Sequence, residues 1–217
     1  AATRQGFMSR IVIANTLPEH IAQLVHHQRV CFPTLAEHEL MRAEHFESQV
    51  RLFPEGQHVA LDGDRVIAQS STFRISGAVV FGPHTYHSIV AGNFFTNHDP
   101  RGAWLYGADM SVHPDYRGRG ISRLLYEERK ALARRLGLRG MVGGGMIPGY
   151  VRYRDRMSSW EYAQAVAAGK LTDPTLTPQL RAGYELRGIL RDYIEAGDLG
   201  NDSTLIVWEN PTFHDAS

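Results

Sequence analysis

The sequence predicts an α/β chain built on a mixed β-sheet, and three observations carry that reading. Trp104 to Val112 is an apolar strand that runs through the turn HPDYRGRG into the charged amphipathic segment ISRLLYEERKALARRLG and on to a strand over Leu138 to Gly143. Two strands joined this way by a helix form a right-handed crossover, which makes them parallel. Val59 to Ala68 holds two short apolar segments around Asp62-Gly63-Asp64, and Asp-Gly favours a tight antiparallel hairpin. Finally, 217 residues with 43% apolar and 21% charged side chains suit one well-buried core, so residues 8–217 are read as a single domain.

Taken in order, Ser9 to Thr16 reads as a first strand on the strength of Ile11 and Ile13. Pro18 suits a helix start, and Ile21, Leu24 and Val25 give an apolar face to about Arg29. Cys31-Phe32-Pro33-Thr34 breaks that helix. Leu40, Met41, Ala43, Phe46 and Val50 fall near the helical period and predict a second helix over 35–52. The hairpin's second strand is expected to reach Ile75; beyond it Val79 to Phe81 reads as a short strand and Thr96 to Pro100 as a polar loop. Gly137 ends the long helix. Ser158 and Glu161 have capping-box spacing for a helix to about Ala168, which Gly169 stops. Leu180 marks a helical stub, and 183–193 and 204–208 are the last strands.

Charge and cysteine content narrow the function classes. Lys plus Arg and Asp plus Glu both number 23, so no excess of positive charge is available for a polyanion, and nucleic acid is excluded as a general partner. Cys31 is the single cysteine, which forbids an internal disulfide and agrees with a reducing, cytoplasmic setting. No apolar run approaches bilayer-spanning length, so no membrane partner is expected. Residues 1–7, ahead of Met8, are set aside as an expression remnant or disordered N-terminus. Five histidines (20, 26, 27, 38 and 45) fall on the first two helices, but Arg42 stands where a second ligand would follow His38, so they read as surface or interface groups and no metal is expected.

The turn after the central strand carries the most chemistry. Gly118 and Gly120 permit positive φ and a close backbone approach, and the helix starting at Ile121 adds free N–H donors and the positive end of its dipole. Such a nest suits a pyrophosphate. A P-loop is excluded, since no Gly-Lys-Ser/Thr follows a strand, and the dinucleotide fingerprint fails at Arg123. Arg117-Gly118-Arg119-Gly120-Ile121-Ser122, led in by Val112-His113-Pro114-Asp115-Tyr116, resembles the R/Q-x-x-G-x-G/A signature of the GNAT N-acetyltransferase superfamily. Ser122 departs from the usual Gly or Ala, which implies a slightly tighter fit. Residues 84–211 also resemble, through looser motifs such as Gly149-Tyr150 and Trp208-Glu209-Asn210-Pro211, the GNAT domains that occur fused to carbon–nitrogen hydrolases. The hydrolase part is expected to be absent, since the chain ends at Ser217.

The resemblance implies a GNAT fold: a central, mostly antiparallel sheet with one splayed parallel pair and helices on both faces. It implies transfer of an acetyl group from acetyl-CoA, by direct attack, to a primary amine of a small molecule or peptide, in a monomer or homodimer. A non-catalytic acyl-CoA-binding module is the alternative. Backbone groups of Met110, Ser111 and Val112 would flank the acetyl group; those of Arg117, Gly118, Arg119, Gly120, Ile121 and Ser122 would hold the pyrophosphate. Relatives carry a Glu where Tyr106 stands, and use a Tyr beyond the fifth strand, for which Tyr150 and Tyr153 are the candidates here. Asp109 is the nearest carboxylate, unusual in so apolar a strand, but strict alternation sets it on the face opposite Tyr106. His113 and Asp99 are further candidates for a base acting through water. Phe32 and Pro33 are expected in the acceptor-pocket wall, and Gly143-Gly144-Gly145 lets a ligand lie against bare backbone.

Overall fold

A computed structural model describes residues 11–214. The remnant expected at 1–7 and the first residues of the expected opening strand lie outside that range. Seven strands form one sheet in the order β1-β2-β3-β4-β5-β7-β6: β1 (Ile11–Asn15), β2 (Gln57–Asp62), β3 (Arg65–Ile75), β4 (Trp104–Val112), β5 (Gly140–Met146), β6 (Glu185–Leu190) and β7 (Ser203–Glu209). Every neighbouring pair is antiparallel except β4 and β5. That is the mixed sheet with one parallel pair expected from the crossover, and the hairpin turns at Gly63, whose φ of 59° favours a residue without a Cβ.

Five helices of more than one turn pack on the sheet: α1 (Ile21–Cys31), α2 (Ala43–Leu52), α3 (Ile121–Arg135), α4 (Ser159–Ala167) and α5 (Leu176–Arg181). Residues of β2 and β3 divide between two layers, with Ile67 an extra residue in the register between them. Val59, Val66 and Leu61 pack with Leu24, Met41 and Phe46 of the α1–α2 layer, whereas Ala60, Ile67 and Ala68 pack with Ile121 and Leu125 of α3. The capping box at Ser158 is present: Ser158 Oγ accepts from the Glu161 N–H at 3.2 Å and Glu161 Oε2 accepts from the Ser158 N–H at 2.7 Å.

Two expectations fail. The second helix begins at Ala43, not near 35; a single 3-10 turn at Glu37–Glu39 ends in extended backbone at Leu40, and Leu40 and Met41 are buried from that extended segment. The start is set by His45, whose Nδ1 accepts the Arg42 N–H at 2.9 Å, a capping role that histidine seldom signals in a sequence. Val79 to Phe81 is no strand: Gly77–Val80 is one helical turn, with Phe81 set edge-on to Trp104. His20, His27 and His45 are also buried rather than on the surface.

Candidate functional site

The register between β3 and β4 sets the site. Asp109 faces Ser71 and Tyr106 faces Phe73, but Thr72 faces Gly107, so Ala108 is an extra residue on β4. This bulge reverses the alternation. Ser71 and Phe73 stand two apart on β3 and share a face, hence Tyr106 and Asp109 share it too, and the expected opposition of the two is corrected. On the far side, β4 pairs with β5 only from Trp104 to Gly107, whose partners are Gly140 to Gly143. Beyond that the strands splay, leaving the edge of β4 from Ala108 to Val112 without a partner strand.

A cavity of about 160 Å³ occupies the splay, room for roughly ten waters or an acyl group with a small acceptor. It is lined by Ala108, Asp109 and Met110 on one side and Gly143 to Met146 on the other, and closed by Phe32, Leu35, Tyr86, Tyr193 and Ile194. A second cavity runs outward along Met110, Ser111, Val112, Arg117, Gly118, Gly120, Ile121 and Ser122. Met110, Tyr126 and Thr175 line both, so the two cavities adjoin there. Gly118 and Gly120 have φ of 72° and 82°, and Gly120 caps α3, so the nest read from the sequence is formed. Of the nine residues expected to hold a coenzyme, eight line the outer cavity. Arg119 does not; its Nη2 donates to the Asp115 carbonyl at 2.8 Å and its guanidinium lies over the Tyr116 ring.

Asp109 is the carboxylate on the inner cavity's strand wall. Gln28 of α1 donates to its Oδ2 at 2.6 Å and Gln69 of β3 donates to the same oxygen. Burial pushes its carboxyl up to about 6, against the pull of those donors and of Arg129. Arg129 is itself buried: its Nε donates to Ser70 Oγ at 2.6 Å, and its Nη2 to the Ser71 carbonyl at 3.3 Å and to the Asp109 carbonyl. Gly107 makes room for that guanidinium, since a Cβ there would stand 2.5 Å from Nη1.

The tyrosines are redistributed. Tyr106 is fully buried beneath the cavity, its hydroxyl 2.6 Å from that of Tyr193, and burial holds it well above the ordinary tyrosine range. Tyr150 and Tyr153 line neither cavity. Both pack on the Tyr162 ring, with centroids 5.6 and 5.3 Å away, because the chain turns at Pro148 toward α4. Tyr193, Tyr126 and Tyr184 line the inner cavity in their place. Asp99 accepts the Arg101 N–H at 2.9 Å in an exposed turn, and His113 lies against Arg65, so neither faces the cavity. Phe32 is in the wall as expected; Pro33 is not among the lining residues. Gly144 and Gly145 do line the cavity, yet a Cβ on either would also meet protein, the Tyr193 ring or Gln179 Oε1. Among the described residues no cluster of three or more His, Cys, Asp or Glu side chains forms a metal site, and no helix is long and apolar enough to cross a membrane.

The chain is 35% identical over 205 residues to a probable hydrolase, YhcX, of Bacillus subtilis (strain 168), covering 94% of this chain but only 39% of that protein's length. It is 31% identical over 208 residues to an uncharacterized N-acetyltransferase, YkwB, of the same organism, covering 95% of this chain and 92% of that protein. The solved structure of the GphF GNAT-like decarboxylase in complex with isobutyryl-CoA is similar at a TM-score of 0.77 and 25% identity, over 91% of this chain and 98% of that one. The family model for the acetyltransferase (GNAT) family matches residues 21–143. That match spans more than half of the chain, including the bulged strand, the glycine turn and α3, and the protein therefore belongs to the GNAT acetyltransferase family.

Proposed function

We propose that the protein transfers an acetyl group from acetyl-CoA to a primary amine. The observation that carries the reading is the placement of Asp109: a half-buried carboxyl held by Gln28 and Gln69 in a cavity that adjoins the one along the glycine nest, with its ionisation pushed up to about 6. Backbone donors from Gly118 to Ser122 would hold the pyrophosphate at the start of α3. The arm would then pass Met110, Tyr126 and Thr175, bringing the thioester into the splay, where unpartnered backbone of β4 can polarise its carbonyl. The amine nitrogen attacks the carbonyl carbon, the carbon–sulfur bond breaks, and the ammonium proton passes to Asp109. Burial holds Tyr126 above its ordinary range, so it stays neutral and donates a hydrogen bond to the departing thiolate. Release of free CoA from acetyl-CoA over a panel of amines tests this; tight CoA binding without amine-dependent release would leave the binding-module reading in its place.

A second reading, loss of a carboxyl group from the acyl chain, draws support from Arg129, a buried cation in the cavity wall, and from the GNAT-like decarboxylase among the similar structures. Carbon dioxide released from malonyl-CoA with no amine present would favour it. Two of Arg129's three nitrogens are already committed to Ser70 and to backbone, and the cavity's other charges are carboxylates, so the amine reading stands first.

A further inference from the structure

We propose that the acceptor carries, besides the reacting amine, a second cationic group, and that Glu39 binds it. The proposal rests on the amine-transfer reading above. Glu39 lies in the connection between α1 and α2 and lines the inner cavity, yet only 6% of it is exposed. Its Oε1 accepts the Glu195 N–H at 3.4 Å, whereas its Oε2 is buried with no hydrogen-bond partner among the described residues. An ionised carboxylate so placed is costly without a counter-charge. His38 Nε2 stands 4.0 Å from Oε1, but on a side chain that is 60% exposed and nearer to Glu195, at 3.4 Å.

The position is held firmly, as a binding group should be. Asn93 Nδ2 donates to the Glu39 carbonyl at 3.2 Å, and Asn93 Oδ1 accepts the Tyr86 hydroxyl at 2.9 Å. Asn93 has φ of 72°, and Asp192, beside Tyr193, has φ of 47°; two non-glycine residues in the left-handed region thus flank the site. The charges facing the cavity are Glu39, Asp109 and Arg129. Two carboxylates against one guanidinium leave it negative. Asp109 serves the reacting nitrogen, so Glu39 is left for another cation. Phe32 and Leu35 supply apolar surface in the same wall, which suits the methylenes of a diamine and not a second polar chain.

The test compares 1,4-diaminobutane, n-butylamine and 4-aminobutanoate as acceptors with acetyl-CoA, scoring free CoA. The diamine should exceed butylamine in kcat/KM by at least about tenfold, chiefly through KM, with the amino acid below both. Glu39→Gln should bring the diamine-to-butylamine ratio to within about twofold, and Glu39→Asp should restore part of it. Equal kcat/KM for diamine and butylamine in the unaltered protein would overturn the proposal without any variant, as would a ratio that survives Glu39→Gln. Should no amine be turned over, the transfer reading fails by itself. Calorimetric titration of 1,4-diaminobutane into the CoA-bound protein then decides the subsite: binding that weakens at least about tenfold in Glu39→Gln upholds it, and no binding rejects it.

Discussion

Tyr106 and Asp109 lie on one face of β4 although three positions separate them, because Ala108 is inserted in the register against β3. The bulge turns the carboxylate toward Gln28 and Gln69, and the tyrosine beneath it toward Tyr193. An acid where strand alternation forbids one is thereby explained: Asp109 is not packed into the α3 layer but stands at the splay, beside the free edge of the strand.

Asp109→Asn is expected to lower kcat for amine acetylation by at least about 100-fold, the scale of a lost general base. Affinity for CoA should stay within about threefold, since the nest lies elsewhere on the chain. In the unaltered protein the base form exists above the carboxyl's ionisation, so kcat/KM should fall on the acid side with a midpoint near 6. Steady-state rates from pH 5 to 8 check both. An acid limb that persists unchanged in the Asn variant would take the role from Asp109.

The nest makes a separate prediction. Gly120 has φ of 82° and a Cβ there would meet nothing within 4 Å, so alanine is opposed by backbone conformation and not by contact. Gly120→Ala should cost about 1–2 kcal/mol of stability. Gly120→Asp, adding a carboxylate where the diphosphate is held, should abolish CoA binding while leaving the protein folded. Thermal melts and calorimetry separate the two effects; an Asp variant that binds CoA with undiminished affinity would move the phosphates elsewhere.

Much of this was legible in the chain itself. The crossover, the glycine turn and the Ser158 capping box were readable because local spacing alone encodes them. The bulge was not, since the extra residue shows only against β3, whose register no local pattern reveals. Tyr193 was missed for a similar reason. It lies 87 positions from Tyr106, and only the pairing of β5 with β7 and of β7 with β6 brings its segment to the splay. Glu39 was hidden by helical spacing around it that the extended backbone at Leu40 overrides.

The tyrosines give a direct contrast. Tyr150→Phe and Tyr153→Phe remove hydroxyls that line neither cavity, Tyr150's being bonded to the Met157 carbonyl at 3.1 Å. Each should leave kcat/KM within about twofold. Tyr193→Phe deletes a cavity hydroxyl and the 2.6 Å bond to Tyr106, and should lower kcat/KM by about tenfold or more. The reverse ranking would restore the tyrosines after the fifth strand as the functional ones.

Acid stability follows from the buried imidazoles. Burial pushes His58 and His27 down to about 4 from 6.5, and His58 Nδ1 has no partner among the described residues. Between pH 6.5 and 4 the unfolded chain binds these two protons and the folded chain does not, so stability falls as pH falls, by up to about 1.4 kcal/mol per pH unit for each group. Asp109 has the opposite sign: its folded carboxyl, raised to about 6 from 3.8, keeps a proton that the unfolded chain has released, and offsets about one histidine over roughly pH 6 to 4. Burial also lowers His45, His84 and His98, which add to the fall, so at least about one histidine's worth of acid destabilisation should remain. Urea unfolding at pH 7, 6 and 5 should therefore show decreasing stability in the unaltered protein and a shallower fall in His58→Gln. If the variant loses stability with acid as steeply as the parent, His58 is already protonated in the folded state and its burial does not govern the acid response.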